Sequence, residues 1–140
     1  MQFLKPRRLP CSMSTGLLLL RVVVGLAFMF HGYGKVQNLM GWMGPESPVP
    51  AVFQVAAGLS EFLGGFLLIL GLLTPIASFF IACTMATAVF MHVTVFKDPF
   101  VSTGAGSYEL ASVYFCVALL VFLAGPGCLS LDRFIFGEKD

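Results

Sequence analysis

Residues 51–96 read AVFQVAAGLSEFLGGFLLILGLLTPIASFFIACTMATAVFMHVTVF. Two apolar runs, 51–73 and 76–96, flank Thr74-Pro75. Each is about as long as a helix must be to cross about 30 Å of hydrocarbon. A proline inside one uninterrupted helix would remove a hydrogen bond and clash with the preceding turn. Thr74-Pro75 is therefore read as a very short turn between two antiparallel neighbours. The runs are continuous rather than alternating, which argues against strands.

Working outward, residues 17–33 and 108–124 are two more runs of the same kind. The expected fold is thus an all-α integral membrane four-helix bundle over residues 17–124. Residues 1–16 form a basic N-terminal tail and residues 125–140 a C-terminal tail. Residues 38–50, with Gly41, Gly44, Pro45, Pro48 and Pro50, read as a turn-rich loop, as do residues 97–106, which end in Gly104-Ala105-Gly106. Gly125-Pro126-Gly127 closes the fourth run before a short amphipathic stretch at 129–136.

Composition leads to the same conclusion. Of the 140 residues 58% are hydrophobic and 11% charged, and mean hydropathy is +0.93. Soluble domains carry roughly 25% charged residues, so much of this surface must face something apolar. A net charge of +1 leaves no basic patch to neutralise phosphates, which excludes a nucleic-acid partner. The first run follows Lys5, Arg7 and Arg8 as a signal peptide would, but it has no A-x-A-like cleavage site, Arg21 interrupts it and three more runs follow. It is read as a retained helix, with Met13 an alternative start to Met1.

Lysine and arginine counts set the expected orientation. With both termini in the cytoplasm, Lys5, Arg7, Arg8, Arg133 and Lys139 lie inside, and Lys35 and Lys97 outside. The expected location is a bacterial inner membrane. Trp42, Tyr33 and Tyr108 then fall at the outer surface as an interfacial aromatic belt.

Charges within hydrocarbon are costly and call for a reason. Arg21 shares one helical arc with Gly25, Gly32 and Lys35, which suits a helix–helix interface; snorkelling to the headgroups is the other reading. Glu61 lies in a stripe with Gln54, Ala57, Gly58, Gly64 and Gly65, too deep for its short stem to reach water. It must be protonated, paired or wetted by a cavity, with Arg21 and Lys35 as candidate cations. His31, His92 and Glu109 belong to the same end of their helices as Lys35. Arg21, His31, Lys35, Glu61, His92 and Glu109 are therefore the candidate intramembrane polar site. The bland readings are interfacial histidines and a Glu109 that complements its helix dipole after a Ser107 cap.

Cys11, Cys83, Cys116 and Cys128 include no C-x-x-C pair, so neither a dithiol site nor a metal site is expected. No flavin, nucleotide or haem-attachment motif is present, nor an iron–sulfur cysteine set.

Several short blocks together resemble the DoxX family of bacterial membrane proteins. They are Leu18-Leu19-Leu20-Arg21-Val22, Phe30-His31-Gly32-Tyr33-Gly34-Lys35, Gly58-Leu59-Ser60-Glu61-Phe62-Leu63-Gly64-Gly65 and Gly71-Leu72-Leu73-Thr74-Pro75. Gly106-Ser107-Tyr108-Glu109 and Gly125-Pro126-Gly127-Cys128-Leu129-Ser130-Leu131-Asp132 complete the set. The resemblance implies a four-helix bundle described as an oxidoreductase, with relatives tied to quinone-linked complexes or to thiol and oxidative stress. It also implies that Arg21, Lys35, Glu61 and Glu109 occupy recurring polar positions.

Three functions remain open at this stage. The chain is a membrane subunit or partner in a quinone-linked or thiol/oxidative-stress redox system, with any further redox cofactor held by partner enzyme subunits. Alternatively it is a small proton-coupled carrier or channel, working as a homo-oligomer. Or it is a membrane scaffold that recruits soluble redox enzymes.

Overall fold

The computed structural model describes residues 5–6, 8–104 and 106–138. Met1, Arg7, Ala105 and Lys139, which enter the reading above, lie outside them. The described residues are helical with no strand: α1 (Cys11–Gln37), α2 (Ala51–Leu70), α3 (Thr74–Met91), α4 (Glu109–Ala124) and α5 (Leu131–Phe136), with a π-helical turn at His92–Phe96 prolonging α3. α1, α2 and α3 with its π turn are long and apolar enough to cross a membrane, and α4 is a shorter apolar helix of 16 residues. Leu19, Val23, Phe30, Phe53, Phe79, Phe80, Leu120 and Leu123 point outward. A coat of this kind is stable against lipid and not against water. The chain is an integral membrane helical bundle.

Small residues set how closely the helices approach. α1 buries Ser14, Leu17, Arg21, Val24, Gly25, Phe28 and Gly32 along one stripe, and α2 buries Gln54, Gly58, Glu61, Gly64, Gly65 and Leu68. A Cβ on Gly25 would lie 2.6 Å from the Gly65 carbonyl oxygen, and a Cβ on Gly65 the same distance from that of Gly25. The backbones of α1 and α2 thus touch, as small-residue stripes allow between helices in lipid. Phe28, Leu68, Ile81, Ala118 and Val121 fill the centre of the bundle.

The α2–α3 turn differs from the expectation. Thr74 and Pro75 are the first residues of α3 rather than the turn itself. Proline is pre-organised for a first helical turn, where its missing N–H has no partner to lose. The turn is Gly71–Leu72–Leu73: Gly71 closes α2 in the left-handed conformation at φ +64°, and Leu73 follows at φ +48°. Asp132 holds that unusual leucine. Its Oδ1 accepts from Leu73 N at 2.7 Å and its Oδ2 from Thr74 N at 2.8 Å, while Asp132 N donates to Gly71 O at 2.8 Å. A carboxylate from the C-terminal segment thereby caps α3.

Other boundaries move as well. α1 starts at Cys11, so residues 11–16 of the N-terminal segment are helical. Its 27 residues span about 40 Å, more than the hydrocarbon requires. Ser107 does not cap α4: the capping position is Tyr108, with no side-chain hydrogen bond. Arg8 Nε lies 3.3 Å from Glu138 Oε2, and Arg133 Nε 2.8 Å from Glu138 Oε1, so the two terminal segments meet at the same end of the bundle.

Candidate functional site

α1 and α2 run antiparallel, and near the loop between them each carries one charge on its small-residue stripe. The result is an ion pair: Lys35 Nζ donates to Glu61 Oε1 at 2.6 Å, with the Glu61 side chain 3% exposed and that of Lys35 22%. The Lys35 ammonium also sits 4.4 Å from the centre of the Trp42 ring, within cation–π reach. Glu61 Oε2 is buried and has no hydrogen-bond partner.

Two cavities meet at this pair. The larger, about 540 Å³, lies between α2 and α3 under the 38–50 loop; Lys35, Glu61 and His92 give it polar groups, and Trp42, Phe53, Phe80 and Phe96 its aromatic walls. Its volume is that of a small-molecule site. Ser60 and Thr84 add a hydroxyl pair on that wall, oxygen to oxygen 2.6 Å. The smaller cavity, about 210 Å³, lies between α1, α3 and the start of α4, and is lined by His31, Lys35, Glu61, His92, Ser107 and Tyr114 among others.

Gln54 fixes the loop that covers the larger cavity. Its Oε1 accepts from Met43 N at 3.2 Å and its Nε2 donates to Val49 O at 2.8 Å, while Trp42 Nε1 donates to Gln54 O at 3.0 Å. On the opposite wall the π turn carries His92 out of α3, and His92 Nδ1 lies 2.6 Å from Asp98 Oδ2. π turns of this kind recur at functional sites. Asp98 N closes the turn on His92 O at 2.9 Å.

Of the six sequence candidates, His31, Lys35, Glu61 and His92 come together around the smaller cavity. Arg21 and Glu109 do not. Arg21 is buried near the far end of α1, where Nη2 donates to Leu129 O at 2.6 Å, so it neither snorkels nor pairs with Glu61. Glu109 is exposed at the start of α4 and lines neither cavity; its backbone N–H donates to Phe100 O at 3.0 Å. Trp42, Asp98 and Tyr114 were not foreseen in the site. Tyr114 lies far along the chain from Lys35 and Glu61 and left no local signal, whereas Trp42 follows Lys35 by seven residues and Asp98 follows His92 by six, just past the π turn.

The DoxX family pattern matches residues 16–94. The chain belongs to the DoxX family. That stretch holds Arg21, His31, Lys35, Glu61 and His92, and stops before Asp98, Glu109 and Asp132. Three relatives agree with it over nearly their whole length. A Bacillus subtilis protein named "Putative oxidoreductase CatD" is 31% identical, over 91% of this chain and 92% of its own. An uncharacterised Haemophilus influenzae protein is 34% identical, over 84% of this chain and 88% of its own. The Escherichia coli inner membrane protein YphA is 30% identical over the same two shares. No solved structure is a significant match. Among the described residues no three His, Cys, Asp or Glu side chains gather as a metal-ligand set.

Chemically, the site offers a cation, a buried carboxylate with one free oxygen, a histidine backed by a carboxylate, and two hydroxyls beside an apolar chamber. Such a set can orient a flat carbonyl compound and exchange protons with it.

Proposed function

We propose that this DoxX protein binds a lipid-soluble quinone in the larger cavity, as the membrane subunit or partner of a redox system. The supporting observation is the Lys35–Glu61 pair, with its free Oε2, at the polar end of an otherwise apolar chamber. Quinone carbonyl oxygens accept hydrogen bonds, which Lys35 Nζ, Ser60, Thr84 and His92 can supply. Reduction to the quinol takes two electrons, supplied by the partner redox subunits, and two protons on those oxygens, and Glu61 and His92 are the groups that exchange protons there. Phe53 and Phe80 stand at the lipid-facing side of the chamber, where an apolar tail would leave. The name of the Bacillus subtilis relative is consistent with redox work.

In this reading α4 crosses the bacterial inner membrane with the other three helices, and both termini are cytoplasmic. The lysine and arginine bias supports that side, and the Arg8–Glu138 contact supports an even number of crossings.

Trp42 is the only tryptophan in the chain and lines the cavity. Titrating the purified protein with short-tailed benzoquinone and naphthoquinone analogues should quench its fluorescence saturably. Glu61→Gln should weaken binding about tenfold, the effect of losing one polar contact of about 1.4 kcal/mol. Absence of saturable quenching by both classes, in the isolated protein and in its native complex, would refute the proposal. A proton-coupled carrier is the second reading, favoured by the fact that the ion pair borders two chambers at once.

A further inference from the structure

Lys35, Glu61, Ala88 and His92 line both cavities, so one thin wall separates the two chambers. The sides of that wall differ in character. Beyond it the larger chamber runs out between Phe53 and Phe80 toward lipid, whereas the smaller brings in His31, Ser107 and Tyr114, at the end of the bundle where the loops lie. α1 and α4 meet there through Tyr114, whose ring centre lies 4.9 Å from that of Phe28 and 6.1 Å from that of His31. Glu61 lines both chambers and its Oε2 is buried without a partner; a buried carboxylate oxygen left unpaired is costly unless water reaches it. The smaller cavity has room for several waters, each needing roughly 10–15 Å³ of such space and two to four polar partners.

We propose that the smaller cavity is a water-filled antechamber that carries protons between the loop-side surface and Glu61, while the larger cavity stays dry and takes the apolar ligand. The assignment of that ligand rests on the quinone reading; the wetness of the antechamber does not. In the step itself, a hydronium ion in the chamber gives its proton to Glu61 Oε2, forming an O–H bond and leaving water. The groups that face Glu61 during this step are Lys35 and His31 from α1, His92 from the π turn after α3 and Tyr114 from α4. Asp98 occupies His92 Nδ1, which leaves Nε2 as the ring nitrogen available to the water chain.

Ala111 lines the smaller cavity alone, and Cys83 the larger alone. In full-length protein in lipid nanodiscs, with Cys11 and Cys128 replaced by serine and Cys116 by alanine so that Cys83 is the one native thiol left, Ala111→Cys tests the proposal. A charged methanethiosulfonate reacts with thiolates, which form in water, so this cysteine should react at least about tenfold faster than Cys83. Adding Ser107→Phe, which narrows the chamber, should slow the reaction. Leu110→Cys, on the same wall, replaces Ala111→Cys if that variant does not fold. Labelling of the introduced cysteine by a neutral maleimide but not by the charged reagent would overturn the proposal. Quinone quenching with a dry Ala111→Cys site sinks the antechamber alone. Charged-reagent labelling without quinone quenching leaves the antechamber standing and sinks the quinone reading.

Discussion

Lys35 Nζ and Glu61 Oε1 approach to 2.6 Å at the boundary of two cavities, and the two side chains are unequally buried. That inequality has a consequence for stability. Removing one partner of a buried pair costs up to about 3–5 kcal/mol, because the other charge is left uncompensated. Without Lys35 the nearly buried Glu61 has only the confined waters of the smaller cavity to offset its charge, whereas Lys35 without Glu61 keeps the Trp42 ring and is itself partly exposed. Lys35→Met should therefore cost about 3 kcal/mol and Glu61→Gln about 1–2. The double variant Lys35→Met/Glu61→Leu should recover to within about 1–2 kcal/mol of the parent. Thermal unfolding in mild detergent measures all three, and equal costs for the two single variants would contradict the asymmetry.

Gly65 gives a second test. An added Cβ there would press on Gly25 O at 2.6 Å and on Phe28 Cβ at 3.0 Å, so Gly65→Ala must separate α1 from α2. The expected loss is about 1–3 kcal/mol, as for other overpacked interfaces. Gly16 and Gly34, also on α1, have nothing within 4 Å of an added Cβ. Gly16→Ala and Gly34→Ala should be neutral or stabilise by up to about 1 kcal/mol through helix propensity alone. Comparing melting temperatures of the three variants separates close approach from a general intolerance of change.

The helices were legible because an apolar run of membrane length has few other solutions, and because Pro50 and Pro75 mark where α2 and α3 begin. Half of the ion pair question was legible too: Lys35 and Glu61 stand in small-residue stripes that can face each other. Arg21 was a rival partner that antiparallel geometry eliminates. About 21 Å of helix rise separates it from Lys35, and this places it opposite Gly71 instead. Trp42 read as an interfacial aromatic, and its place in the cavity wall depends on the Gln54 hydrogen bonds that fold the loop back. Glu109 was placed at the right end of the bundle but on the wrong face. A helix's rotation about its own axis is weakly specified when apolar residues surround it on all sides, as they do in α4.

Asp132 was the least legible, since it reaches Thr74 across 58 positions of sequence. It also lies near Arg21, whose Nη2 is held by Leu129 O, so the C-terminal segment is fastened to α1 and to the α2–α3 turn together. Asp132→Ala should remove the cap from α3 and leave the Leu73 and Thr74 N–H groups buried and unpaired, at about 2–4 kcal/mol in total. Asp132→Asn keeps one acceptor and should lose about half as much. Limited proteolysis should show the segment after Gly127 cut faster in Asp132→Ala than in the parent. An unchanged cleavage rate would mean that the clasp does not hold the segment down.

The larger cavity can be tested by filling it. Ala57 lines its wall without joining the ion pair, and it is only partly buried. Ala57→Phe would place a ring in the space assigned to a quinone headgroup while leaving Lys35, Glu61 and His92 in place. Quinone quenching of Trp42 should weaken by at least about tenfold, equivalent to about 1.4 kcal/mol of lost binding. Stability should hold within about 1 kcal/mol, because the ring enters an existing void instead of packed core. The reverse pattern, normal quenching in a destabilised protein, would put the quinone elsewhere. Charged-reagent labelling of Ala111→Cys should persist in the same background, since that chamber lies across the wall from the added ring.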